Sequence, residues 1–444
     1  MAQIAWLGKK SPFCGNVTYG LTTTYALRER GHGVSFIHFD TPAAQLGRHG
    51  AEPGGLAPEA VGRWGGSNLR RRGQRSRAGG AGGRLGDGAV LDLPEAVHDL
   101  GPVGAPSPGG TDPEVILSYL VKSQVYTIPS PGAQRELRES LERLRPDLVH
   151  ASLTLSPLDF RLPDLCQQLG LPLVATFHPA FDASLRNLTA GTQQLTYQLY
   201  APALARFDRV IVFSDRQAEV LMRLGVRPER LAVIPNGVDS DTWTPAPAAP
   251  SKELQALRHQ FGGSRVFLYM GRMATEKNVE ALLRAWRLVR PAGCRLVIVG
   301  DGPLRAALQG ASQDDDVVWW GYEPNLATRV ALLQLAEVFL LPSLVEGLSL
   351  ALLEAMACGT ACIATDAGAD GEVLDGGAGI VISTQGVTTQ LRTLLPVLRD
   401  QPVLTTELGR RARARVLERY TLSRNLDALE RLYGELIGKP TLAA

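Results

Sequence analysis

The chain has 444 residues, too many for one ordinary hydrophobic core, so two or three domains are expected. With 45% hydrophobic residues the composition is globular and not that of a disordered chain. A formal net charge of +2 gives no overall pull toward nucleic acid, and five scattered cysteines without a Cys-x-x-Cys pair fit a reducing, cytoplasmic setting and no zinc module.

The first apolar run, 4–7, is followed by Lys9 and Lys10 and lacks the long apolar segment of a signal peptide, so it is read as a strand. Further strand runs fall at 34–39, 148–151, 173–176, 210–213, 266–270, 296–299, 317–320, 338–341 and 361–364. Helical periodicity lies between them, at 19–30, 133–144, 195–205, 216–224, 279–289 and 328–335. Such alternation predicts an α/β chain whose parallel sheets are covered on both faces and bind ligands at the carboxyl ends of their strands. A break is expected near 240–260, with the proline- and alanine-rich stretch 241–251 as a linker. This divides the chain into two doubly wound Rossmann-like domains, 1–235 and 236–421. No apolar run is long enough to span a bilayer.

Residues 47–113 interrupt this pattern. They are dense in glycine and arginine (Arg70-Arg71-Arg72, Gly79-Gly80-Ala81-Gly82-Gly83) and carry no apolar period. Three readings stay open for them: a disordered insertion, a basic arm for an anionic surface, or an out-of-frame translation of GC-rich coding sequence. Disorder is the expectation, with no part in function.

The most informative stretch runs from the apolar 338–341 into Glu346, Gly347, Leu348 and Ser349, and then into a helix, apolar nearly all round, that carries Glu354. Two carboxylates in so apolar a setting need partners. On one helix they would sit about 80° apart and about 12 Å apart along the axis, and would not meet. With Glu346 in the turn before the helix, the amides of Gly347, Leu348 and Ser349 would form an anion cradle between the two carboxylates. Such an order suits a sugar, a diphosphate and a ribose. Arg272 after one strand and Lys277 before the next helix add two cations at a strand's carboxyl end.

This set resembles the signature of the family-four retaining glycosyltransferases, the group 1 glycosyltransferases of GT-B fold. Glu346 and Glu354 followed by Ala355-Met356-Ala357-Cys358-Gly359 carry the resemblance. It extends to Gly271-Arg272 with Glu276-Lys277-Asn278, to Val299-Gly300-Asp301-Gly302-Pro303, to Pro235-Asn236-Gly237-Val238-Asp239 and to Thr176-Phe177-His178. The resemblance implies an N-terminal acceptor domain, a C-terminal nucleotide-sugar domain and a last helix, within 422–444, returning to the first domain. It implies catalytic roles for Glu346, Arg272, Lys277 and His178, with His178 meeting the sugar's distal hydroxyl or aligning the acceptor. Glu354 would hold the ribose, and Gly347, Leu348 and Ser349 the donor. Gly15 and Asn16, in place of a double glycine in the first βα turn, would approach the diphosphate, and Tyr322 would lie by the base.

The expected activity is transfer of a sugar from a nucleotide-sugar, a UDP-sugar first, to a hydroxyl on a lipid, saccharide or small molecule. No cofactor is expected and no metal, since Asp314-Asp315-Asp316 reads as solvated turn charge. The expected location is the cytoplasm, with peripheral contact at the inner membrane face left open, as is the oligomeric state. The polar, tyrosine-bearing stretch 182–200 fits an acceptor groove or a surface helix equally well. Rivals are a phosphorylase or nucleotide-sugar epimerase on the same architecture, or a non-catalytic nucleotide-sugar sensor.

Overall fold

In a computed structural model of the chain, residues 1–10, 15–39, 114–122, 126–153, 155–179, 188–312 and 314–438 are described, with backbone alone for 188–192. The glycine- and arginine-rich segment 47–113 therefore lies outside the described residues, as do Ser11 to Cys14 and Asp182 to Asn187.

Buried apolar runs make the strands. The first half holds β1 (Gln3–Gly8), β2 (Gly33–Phe39), β3 (Glu114–Leu117), β4 (Tyr119–Lys122) and β5 (Thr127–Pro129), then β6 (Leu148–Ser152), β7 (Leu173–Thr176), β8 (Arg209–Val212) and β9 (Leu231–Val233). Its helices are α1 (Gly15–Glu29), α2 (Ala133–Leu144), α3 (Leu162–Leu169), α4 (Leu188–Leu204) and α5 (Asp215–Arg223). Seven strands form one parallel sheet in the order β3-β2-β1-β6-β7-β8-β9, and β4 and β5 form a separate antiparallel hairpin.

The second half holds β10 (Arg265–Met270), β11 (Cys294–Val299), β12 (Val317–Gly321), β13 (Val338–Leu341), β14 (Ala361–Thr365) and β15 (Ile380–Ile382). They form a second parallel sheet in the order β12-β11-β10-β13-β14-β15. Its helices are α6 (Lys252–Phe261), α7 (Val279–Val289), α8 (Arg305–Ala311), α9 (Leu326–Leu335) and α10 (Leu350–Ala357). After these come α11 (Asp370–Val373), α12 (Val387–Asp400), α13 (Pro402–Arg419) and α14 (Leu422–Ile437).

Each sheet reverses its strand order once, between β1 and β6 and between β10 and β13. Such a reversal opens a crevice at the carboxyl ends of the strands, where ligands bind in doubly wound folds. The α/β reading with two doubly wound sheets is what the molecule adopts.

Helices cover both faces of the first sheet. Leu137 of α2, Leu165 of α3 and Leu204 of α4 pack with Val149 and Val210 on one side. On the other, Ile4, Trp6 and Phe36 meet Leu27 of α1 and Leu429 and Tyr433 of α14. The last helix thus lies on the first sheet, following α13 of the second half. In the second sheet, α10 buries Leu352, Leu353, Ala355 and Met356 in the core shared with β10 and β13. Each such large side chain contributes about 1.5–3 kcal/mol.

The linker read at 241–251 is a loop that ends at Ser251, whose side chain caps α6, and the apolar spacing Leu254, Leu257, Phe261 buries that helix. One expectation is corrected. The Asp314–Asp316 turn is not merely solvated. Arg287 lies 3.3 Å from Asp314, Arg290 lies 3.4 Å from Asp316, and Trp286 donates to Asp316 at 3.1 Å. The reason is that the end of α7 stands opposite the turn entering β12.

Candidate active site

The exits of β10 and β13 flank the crevice of the second sheet and carry its charges. Beyond β10, Gly271 and Arg272 lead into a short turn, Thr275–Lys277, and Asn278 adopts a left-handed conformation (φ 52°) before α7 begins. Beyond β13, residues 342–349 form a loop that ends at Ser349, the cap of α10. Two hydrogen bonds clamp these loops: Leu344 N donates to the Glu276 carbonyl at 2.8 Å, and Asn278 Nδ2 to the Pro342 carbonyl at 3.2 Å.

The clamp places Lys277 Nζ 2.5 Å from Glu346 Oε1. Ser343 Oγ donates to the same oxygen at 2.8 Å. Burial alone would lower the Lys277 pKa, but the neighbouring carboxylates, Glu346 first and Glu276 further off, outweigh it and raise it, so the amine is charged. Arg272 is exposed, with its guanidinium 3.6 Å from Glu276. The Arg272 carbonyl accepts from Tyr269 at 2.7 Å, which fixes the backbone beneath it.

Glycines let these backbones approach. Gly300, at the end of β11, has φ 129°, and a Cβ there would lie 2.0 Å from the Gly271 carbonyl oxygen. Gly368 has φ 58°, and a Cβ there would lie 2.2 Å from the Glu346 carbonyl oxygen. No other residue fits either place.

Glu354 stands in the second turn of α10, apart from Glu346 as the spacing requires. Burial raises its carboxyl to about 7, against the pull of Arg329 on α9. Its carboxylate makes no hydrogen bond among the described residues. The amides of Gly347 and Leu348 likewise make none among those residues. The Ser349 amide is committed: it donates to Asp370 Oδ1 at 2.9 Å. The expected cradle of three amides is therefore corrected to two, because a buried carboxylate that the motif does not include holds the third.

The crevice of the first sheet faces the same loop. His178, just past β7, is buried, and its Nε2 lies 2.7 Å from Ser152 Oγ at the end of β6. Burial, with Lys9 nearby, lowers its pKa to about 3, so the ring is neutral. Tyr19 and Phe213 pack against it at ring distances of 5.0 and 5.3 Å. The His178 carbonyl oxygen lies 3.2 Å from where a side chain on Gly347 would begin, so the two crevices meet at this residue. A small cavity lined by Gly8, His38, Ser152 and Asp159 adjoins this end of the first sheet.

The remaining expected residues are Gly15, Asn16 and Tyr322. Gly15 and Asn16 begin α1 at the exit side of β1, and a Cβ on Gly15 would meet nothing within 4 Å. Tyr322 is exposed beyond β12, the edge strand two removed from β10. Sequence reasoning missed Ser152, Ser343, Asn236 and Asp370. Ser152 and Ser343 sit at strand exits, and Asn236, whose side chain donates to the Leu348 carbonyl at 3.2 Å, lies in the 235–239 motif of the resemblance, so each had a usable signal; Asp370 has no comparable mark. Among the described residues no group of three or more His, Cys, Asp and Glu side chains could hold a metal ion, and no helix is long and apolar enough to cross a membrane.

Comparison with known proteins bears on this geometry. The family model described as Glycosyl transferases group 1 matches residues 264–400, which include Arg272, Lys277, Glu346 and Glu354. The model described as Glycosyltransferase Family 4 matches residues 98–242, which include Ser152 and His178. An alpha-maltose-1-phosphate synthase of Mycolicibacterium smegmatis is 28% identical over 57% of this chain and 70% of its own. A GDP-mannose-dependent alpha-(1-6)-phosphatidylinositol dimannoside mannosyltransferase of Mycobacterium tuberculosis is 28% identical over 61% of this chain and 70% of its own. The crystal structure of Anabaena Alr3699/HepE in complex with UDP aligns with a TM-score of 0.66 at 16% identity, over 98% of this chain and 100% of that one. Together with the two facing sheets, these matches place the chain in the group 1, family-four glycosyltransferases: it is a glycosyltransferase of GT-B fold.

Proposed function

We propose that the protein moves a sugar from a nucleotide-sugar donor, a UDP-sugar first, to an acceptor hydroxyl, with retention of anomeric configuration and without a divalent ion. One observation carries this reading: Lys277 meets Glu346 at 2.5 Å in the crevice of the second sheet, in the loop that touches the His178 backbone. Lys277 and the exposed Arg272 neutralise the departing diphosphate. A charge-assisted hydrogen bond of this kind is worth about 1.5–3 kcal/mol. The free amides of Gly347 and Leu348 add to it. Glu346 faces the hydroxyls of the transferred sugar, and Glu354 accepts from the ribose. Neutral His178 either donates to or accepts from a sugar hydroxyl.

Asp314 and Asp316 are engaged by arginines and by Trp286, which supports giving the diphosphate to Arg272 and Lys277. Among the carboxylates named, none is assigned as a nucleophile. The acceptor therefore attacks from the face the leaving group departs, and the leaving phosphate takes its proton. The structural neighbour's complexes with UDP and with UDP-glucose support a uridine donor. The mannosyltransferase relative, with GDP-mannose and a phosphatidylinositol glycoside in its name, keeps guanosine donors and lipid acceptors within the test.

Thermal shift against a panel of nucleotide-sugars identifies the donor, since a ligand at a hundred times its Kd stabilises by about 2.7 kcal/mol. NMR of the product then reads the anomeric configuration, and turnover in chelator reads the metal. An inverted product, or activity abolished by chelation and restored by a divalent ion, overturns the corresponding part.

A further inference from the structure

Asp370 is wholly buried as the first residue of α11, beneath the loop that carries Glu346. Its position is fixed from two sides. Ala369 N donates to the Gly347 carbonyl at 2.8 Å, and Gly368 packs on the Glu346 carbonyl. One carboxyl oxygen of Asp370 accepts the Ser349 amide; the other, Oδ2, is buried with no hydrogen-bond partner among the described residues. Among those residues no cation lies within ion-pair distance of it, and Lys277 pairs with Glu346.

We propose that Asp370 is a positioning residue that bears a proton at rest, and that its O–H replaces Lys277 on Glu346 when the donor diphosphate draws Lys277 away. The proposal rests on the donor-binding reading above. An ionised carboxylate sealed from water, with a single amide for company, is uncompensated, and the group stays neutral instead. The charged groups facing it are Glu346 and Lys277; Glu276 stands by Lys277. Asp366, on the turn before Asp370, accepts the Thr384 amide at 2.9 Å. Burial first, and Glu346 second, push the Asp370 carboxyl well above the ordinary carboxylate range.

At rest Glu346 receives two donors, Lys277 and Ser343. A diphosphate carries more negative charge than Glu346 and competes for the Lys277 amine. Glu346 would then be a buried carboxylate with its cation gone. The Asp370 O–H is an unused donor in the adjoining wall. Donating it to Glu346 moves no proton between residues and changes no net charge, so the site binds its donor without titrating.

The test begins on the unliganded protein. At neutral pH the infrared spectrum of the wild type contains a protonated-carboxyl C=O band that Asp370→Asn removes; an unchanged spectrum overturns the proposal. Asparagine keeps both the acceptor for Ser349 and a donor at the second position, whereas alanine keeps neither. Asp370→Asn is expected to exceed Asp370→Ala in turnover about tenfold, the worth of one hydrogen bond, with the alkaline limb of its pH profile moved upward. Equal loss in both variants, with that limb unmoved, overturns it too. The infrared arm needs no donor, so a wild type that shows the band yet binds no nucleotide-sugar places the fault in the donor reading.

Discussion

Replacing Lys277 with alanine removes two things that can be measured apart. In the folded protein its amine is 2.5 Å from Glu346, and the two side chains are 23% and 8% exposed. Breaking a fully buried pair costs about 3–5 kcal/mol, because one charge is left without compensation. Here Lys277 retains contact with water, and Ser343 still donates to Glu346 at 2.8 Å. The expected loss is therefore smaller, about 1–3 kcal/mol. Adding Glu346→Gln removes the orphaned charge, so the double variant should recover most of that stability in urea denaturation. The Lys277 pKa is raised on folding, so its contribution is fully present below the unfolded value of about 10.4 and lost only as pH rises past the folded one. The stability gap between wild type and variant should stay flat through neutral pH. Turnover should fall by about 10²–10³ in the single variant, as for loss of one transition-state donor, and should not recover in the double. A variant that raises KM while turnover stays within about threefold would show that Lys277 only binds. A double variant as unstable as the single would show that the pair does not act as one.

Three further outcomes follow from the geometry. Burial holds Glu354 at about 7, so donor affinity measured by calorimetry should rise as pH passes through that value and both carboxylate oxygens become strong acceptors for the ribose hydroxyls; in Glu354→Gln it should be flat. A pH dependence that survives in that variant assigns it elsewhere. His178 is held near 3 by burial and Lys9, so it stays neutral through the working range. His178→Gln should lower turnover without moving either limb of the pH–rate profile, and a lost limb contradicts its role. Gly300→Ala forces a left-handed backbone and a contact of 2.0 Å with the Gly271 carbonyl, so it should destabilise by about 2–4 kcal/mol in urea and weaken donor binding; a variant as stable as wild type refutes the close approach.

The sequence reveals what burial on both sheet faces imposes. β1, β10, β11, β13 and β14 each contain a continuous apolar run because a parallel sheet hides both faces, and these were legible, as was β6 although buried His150 interrupts its run. β3, β9 and β15 are edge strands of three or four residues, and β4 and β5 form a hairpin with Leu120 and Val121 exposed, so their patterns carry little signal. At the site, Arg272, Lys277, Glu346 and Glu354 were visible because each lies beside an obvious strand exit or helix start. Asp370 was not. Its weight comes from a close backbone approach at Gly368 and from the Ser349 amide, neither of which leaves a pattern in a single chain. Assigning that amide to a ligand failed for the same reason.

How the two crevices face each other depends on the connections between the sheets. The outgoing chain and the returning one run together: Val238 N donates to the Tyr420 carbonyl at 2.9 Å, Leu422 N to the Val238 carbonyl at 2.8 Å, and Asn425 Nδ2 to the Pro235 carbonyl at 2.7 Å. From this seam one link reaches each crevice. Asn236, next to Pro235, donates to the Leu348 carbonyl in the loop after Glu346. Tyr433 of α14 lies 2.5 Å from His150 Nδ1, and His150 Nε2 lies 2.7 Å from Thr176, two residues before His178. Burial, with His178 nearby, keeps His150 at about 3, so this link is uncharged and holds its geometry across the working pH range. A rotation of the halves about the seam would act on the Glu346 loop through Asn236 and on the His178 strand through His150. On the proposed reading, in which one sheet holds the sugar and the other presents the hydroxyl, these seam residues would govern how the two meet.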